Sequence, residues 1–127
     1  MENKQHTVIP LLRIFDIAKA KEFYIDWLGF TPDWEHRFGE HFPVYMQVSK
    51  DNIRLHLTEH HGDCCPGAKL YIEYAGGVTR YQAWLTAKDY RYNKPGLQKT
   101  PWNVLTLEVI DPFGNKLVFA EEIKQQI

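Results

Sequence analysis

The hydrophobic periodicities of the chain run through the same cycle twice. Residues 7–15 form an apolar run with β-branched side chains, which predicts a strand. Asp16 offers an N-cap, and Ile17, Ala20, Phe23, Tyr24, Trp27 and Leu28 recur at helical spacing until Gly29 closes the element. The spacing predicts a helix over 17–28, with Trp27 on its core face. Strands are predicted at 31–38, 44–49 and 53–59. The last alternates cleanly, with Ile53, Leu55 and Leu57 on one face and Arg54, His56 and Thr58 on the other. Residues 60–68 are rich in turn formers and read as a connector. The cycle then restarts: a strand at 69–74, a helix at 78–90 after Gly76-Gly77, a short strand at 97–100, a strong one at 102–110, and a closing strand at 116–121. Asp111-Pro112-Phe113-Gly114 turns between the last two. The element order is therefore βαβββ, repeated, although few residues are identical between the halves.

One such unit buries too small a core to stand alone. The expected fold is α+β: one domain over 1–127, with module one at about 7–59 and module two at about 69–121. The paired βαβββ modules should form a curled mixed sheet, helices on one face and a concave cleft on the other. Alternation assigns Leu55, Leu57, Leu105, Leu107 and Val109 to the side under the helices. It points His56, Thr58, Tyr71, Glu73, Thr106 and Glu108 into the cleft, with Tyr45 and Gln47 as companions. Trp84 fits the core face of the second helix.

Charge and composition narrow the partners. With 15 basic and 16 acidic residues, net charge −1, the chain lacks the basic footprint of a nucleic-acid binder. No apolar run is long enough to span a bilayer, and the polar start MENKQH lacks the apolar stretch of a secretory leader, so a cytoplasmic location is expected. The two cysteines, Cys64 and Cys65, are adjacent, which excludes a structural disulfide framework.

The stretch LHLTEHHGDCC, residues 55–65, gathers three histidines, two acids and both cysteines, all able to ligate a metal. The spacing is poor for it. Glu59 points opposite to His56 on a strand, His60 and His61 lie where the loop begins, and no HExxH is present. His60 and His61 read as loop residues, and His36 and His41 as solvated. Trp34 and Trp102 fit no core stripe and flank the cleft, which suits either ligand stacking or interface packing; Phe38 and Phe42 form a rim with them.

The segments FDIAKAKEFYIDWLGF (15–30) and DPFGNKLVF (111–119), within the double βαβββ order, resemble the glyoxalase/bleomycin-resistance/extradiol-dioxygenase superfamily, the vicinal oxygen chelate proteins. The resemblance covers nearly the whole chain, and LHLTEHHGD with the Pro101-Trp102 pair is similar to its bleomycin-resistance-like subgroup. It implies homodimers with a cleft at the concave side of the sheet. Metal-dependent members place four ligands there, on the first and last strands of each module. Carried over, these positions fall at Ile9 or Pro10, at His56, near Ala68 to Leu70, and at Val118, so His56 alone can ligate.

The resemblance and the residues together lead to an expected function: a metal-free, cofactor-free homodimer that binds a small molecule, bleomycin-type antibiotics being the class implied. The expected ligand-binding residues are Trp34, Phe38, Tyr45, Gln47, His56, Glu59, Tyr71, Glu73, Trp102 and Glu108. Two alternatives stay open: a metal-dependent lyase or dioxygenase using His56 and a cleft carboxylate, and a binder of an unrelated metabolite.

Overall fold

In the computed structural model, which describes residues 5–123, the first cycle forms β1 (Leu11–Arg13), α1 (Ile17–Lys21), β2 (Thr31–Arg37), β3 (Val44–Lys50) and β4 (Ile53–Thr58). The second forms β5 (Lys69–Glu73), α2 (Val78–Ala87), β6 (Leu97–Lys99), β7 (Val104–Ile110) and β8 (Lys116–Glu122). The order within the sheets is β1-β4-β3-β2 and β5-β8-β7-β6. In each, the first strand runs parallel to the last and the other pairs are antiparallel. The α+β class with paired βαβββ modules holds. The ladders themselves form two four-stranded mixed sheets, and side chains rather than strand pairing join them.

The register preserves the repeat. His56 pairs with Leu11 on one side and Gln47 on the other, while Val118 pairs with Tyr71 and Glu108. The modules share one core. Leu12, Ile14, Phe23, Tyr24, Leu55 and Leu57 of module one cluster with Val78, Leu85, Leu107, Val109, Leu117 and Phe119 of module two. Leu105 packs at the edge of this cluster, partly buried. Polar bonds cross the seam where burial makes them costly to lose. The Trp27 indole N–H donates to the Leu85 carbonyl at 3.2 Å, the Tyr81 hydroxyl donates to the Leu28 carbonyl, and the Tyr24 hydroxyl donates to Asp111 Oδ2 at 2.6 Å. Asn115 Nδ2 donates both to Asp111 Oδ2 and to the Arg13 carbonyl.

Four local expectations are corrected. The first helix begins as an α-helix, Ile17–Lys21, capped by Asp16 Oδ1 accepting from the Lys19 N–H, and continues as a π-helical run, Glu22–Trp27. Phe23, Tyr24, Trp27 and Leu28 are all buried in the core along this run. The first strand is short because only Leu11–Arg13 pairs with β4. Trp84 is 45% exposed: the buried stripe of α2 is Val78, Tyr81 and Leu85, and the Trp84 ring lies over Gly29 with the Lys88 ammonium 3.5 Å above it. Thr58 is fully buried rather than facing the cleft, because its hydroxyl donates to Asp63 and accepts from the His60 N–H as the chain folds over it. No helix among the described residues is long and apolar enough to cross a membrane.

Candidate functional site

The outer face of β2, β3 and β4 carries a chain of rings. β2 is exposed along its length, and its pairing with β3 shifts by one residue between Pro32 and Trp34. Such a bulge inserts an extra residue and re-aims the side chains beside it. Here it sets both Asp33 and Trp34 against β3. The Trp34 ring lies nearly parallel to Tyr45 (centroids 6.0 Å, 9°) and edge-on to His56 (5.3 Å). Tyr45 in turn meets His56 at 5.1 Å and His60 at 6.5 Å. Phe38 closes the cluster, edge-to-face with His36 at 4.6 Å and with His60 at 5.8 Å. Trp34, His36, Phe38, Tyr45, His60 and Asp63 enclose an open recess of about 390 Å³, enough for one flat ring system. Trp34 is 45% and Phe38 71% exposed, so both offer ring faces to a ligand.

Beneath the rings runs a hydrogen-bonded relay. The Tyr45 hydroxyl and His56 Nδ1 are 2.6 Å apart, and His56 Nε2 is 3.0 Å from Gln47 Oε1. Gln47 Nε2 donates to Asp33 Oδ2, and the Ser49 hydroxyl donates to Asp33 Oδ1, each at 3.0 Å. These two bonds hold the Asp33 carboxyl below the ordinary carboxylate range. Burial, with the Arg54 guanidinium nearby, lowers the pKa of the His56 imidazole. Burial and the Asp63 carboxylate raise that of Tyr45. All three shifts favour an ionised Asp33, a neutral His56 and a protonated Tyr45 near neutral pH.

The residues present do not suit a divalent metal. Both nitrogens of His56 are engaged by neighbours, and the adjoining positions on β1 and β3 are Leu11 and Gln47. In module two the matching positions are Val118, Tyr71 and Glu108, a single carboxylate, which a salt bridge joins to Lys69 at 3.4 Å. Among the described residues no three His, Cys, Asp or Glu side chains converge. A Zn or Fe(II) site needs about three such ligands.

Of the ten expected site residues, the structure brings Trp34, Phe38, Tyr45, Gln47 and His56 together. Glu59 stands apart: its carboxylate accepts from the Val44 N–H at 3.0 Å and it lines another depression, with Arg13, Phe15 and Arg37. Tyr71, Glu73 and Glu108 lie on the second sheet, and Trp102, 70% exposed, sits in the turn before β7; none of them lines the recess. The ligand site expected from the sequence omits His36, Asp33, His60 and Asp63, the last two being candidates only as metal ligands. His60, a loop residue as expected, lines the recess, and its Nε2 is buried without a partner among the described residues. Asp33 was hidden by the bulge, which breaks the alternation from which facing is read; its Pro32-Asp33 setting was the available signal. A second cavity, about 470 Å³, lies between the π-helical run and the loop bearing Tyr90 and Tyr92. The buried acid there, Asp111, has both oxygens taken by Tyr24, Asn115 and the Phe113 N–H, and the other polar lining is Lys19, Glu22 and Asn93.

Comparison with known proteins matches residues 2–126 to a family described as glyoxalase superfamily protein. Bleomycin resistance proteins from Geobacillus stearothermophilus and Staphylococcus aureus are 28% identical, over 91% of this chain and 96% of theirs. Among solved structures, a glyoxalase family protein from Bacillus anthracis superposes with a TM-score of 0.70 at 15% identity, covering 97% of this chain and all of that one. An antibiotic binding protein from a Streptomyces species does so at 0.64 and 21%, covering 95% of this chain and all of its own. At these identities the structural matches show a shared fold.

Proposed function

The chain belongs to the glyoxalase superfamily, and from that premise we propose that it binds a small molecule without altering it, sequestering bleomycin-type antibiotics as a homodimer. The observation that carries this reading is the recess, where exposed Trp34 and Phe38 faces stand beside a polar relay that has no convergent metal-ligand set. Flat heteroaromatic groups stack on such rings, and a cationic group is drawn to their faces and to Asp63. The distant bleomycin resistance relatives, similar over nearly the whole chain, support the ligand class.

One recess on one module is shallow for a drug of that size. In the proposed dimer, Tyr71, Glu73, Glu108 and Trp102 of a second copy close over the rings of the first, giving two equivalent clefts about a two-fold axis. The acids would complement a cationic ligand. The test is a titration of bleomycin followed by tryptophan fluorescence. Saturable quenching at micromolar drug, lost in Trp34→Ala, is the expected result. Absence of quenching at those concentrations rules the reading out.

A further inference from the structure

We propose that Asp33, acting through Gln47 and His56, fixes the Tyr45 hydroxyl as a hydrogen-bond acceptor toward the recess, so that the recess selects ligand groups that donate, such as amidinium, ammonium or amide N–H. This rests on the reading that the recess binds small molecules, and adds the polarity of the group it takes.

Asp33 is the member of the relay whose role is fixed. An ionised carboxylate only accepts hydrogen bonds. Asp33 accepts from Ser49 on one oxygen and faces the Gln47 amide on the other, so Gln47 must present its NH2 to Asp33. Its carbonyl oxygen is then turned to His56, and a carbonyl accepts, so His56 Nε2 carries the proton. In a neutral imidazole Nδ1 is then bare, and the 2.6 Å contact requires the Tyr45 hydroxyl to donate to it. With its only proton committed inward, Tyr45 has lone pairs alone left for a ligand.

The other walls agree. Asp63 is the carboxylate lining the recess, and Trp34 and Phe38 present π faces, which attract positive charge and N–H edges. Asp33 does not line the recess, so it is a positioning residue: it determines what the recess accepts without touching it.

The direction of the relay is measurable in the free, full-length chain. Long-range proton–nitrogen NMR of the imidazoles should give His56 as the Nε2–H tautomer. Asp33→Ala, a change at an exposed position, should release Gln47 and bring in the Nδ1–H form. An Nδ1–H tautomer in the wild type, or a tautomer unmoved by Asp33→Ala, overturns the proposal. Selection is read with two fragments of equal size and opposite polarity. Benzamidine should shift the Trp34 and Tyr45 resonances and bind at least about tenfold more tightly than benzoate, with the preference reduced in Tyr45→Phe. Equal binding, tighter benzoate, or no binding of either overturns the selection. Bleomycin binding is decided by its own titration, so a protein that ignores the drug but shows the expected tautomer and fragment preference would fail the preceding reading and keep this one.

Discussion

His56 makes two side-chain hydrogen bonds as a neutral ring, and protonation would reverse the one to Tyr45, whose hydroxyl would then have to accept. Its folded pKa lies below the ordinary 6.5 because of burial and, secondly, Arg54. The sign of the linkage follows: as pH falls below the unfolded value, the unfolded chain takes up a proton that the folded chain refuses, so stability is lost on acidification. An NMR titration should place the His56 midpoint below 6.5, and His56→Gln should make the fall in stability between about pH 7 and pH 5 shallower. A midpoint at or above 6.5 contradicts the burial argument. Tyr24 makes a separate case: its hydroxyl reaches buried Asp111 at 2.6 Å, and burial, then Asp111, raises its pKa well above the usual value. Tyr24→Phe removes one donor from a carboxylate that keeps Asn115 and backbone N–H groups, so denaturant unfolding should show a loss of about 1–3 kcal/mol. At this scale the sequence revealed His56, Tyr45 and Gln47 because they sit on alternating strands whose buried faces are plainly apolar. It did not reveal Asp33, since a bulge changes which way a side chain points without changing composition.

Element order was legible because each segment's hydrophobic period matches its secondary structure, and turns such as Asp111–Gly114 carry their own chemistry. The π-helical run was not, because the spacing of Phe23, Tyr24, Trp27 and Leu28 also satisfies an α-helix. The seam between helices turns on Gly29. Its φ is +89°, a left-handed conformation, and a Cβ there would meet the Trp84 ring at 2.7 Å. Moving Trp84, which is 45% exposed, would give up its contacts with the Tyr81 ring and the Lys88 ammonium. Gly29→Ala should therefore cost about 2 kcal/mol or more in denaturant unfolding. Adding Trp84→Ala should recover the clash but not the backbone penalty; full recovery would show that the conformation carries no strain.

At the scale of the molecule, a paired-module fold follows from the repeated element order, because one module cannot bury its own core. How the modules' outer faces meet was not legible: strand alternation tells which side chains leave the core, not which other surface they encounter. The structure gathers five of the six module-one residues of the expected site, Glu59 standing apart, and leaves Tyr71, Glu73, Glu108 and Trp102 elsewhere, which is what motivates the proposed dimer. Trp102 is largely exposed, so Trp102→Ala should leave thermal unfolding unchanged while weakening drug binding by roughly tenfold, given what stacking of one ring contributes. Loss of the folded state or of the dimer in sedimentation would instead make that ring structural.

The most direct test of the account is a titration of metal-free bleomycin into chelator-treated protein that carries no histidine tag, followed by tryptophan fluorescence. Saturable quenching at micromolar drug, with the drug recovered unmodified, is the result expected from a ring-lined site that needs no cation. Binding that appears only after a divalent metal is restored, or no binding at all, would contradict it.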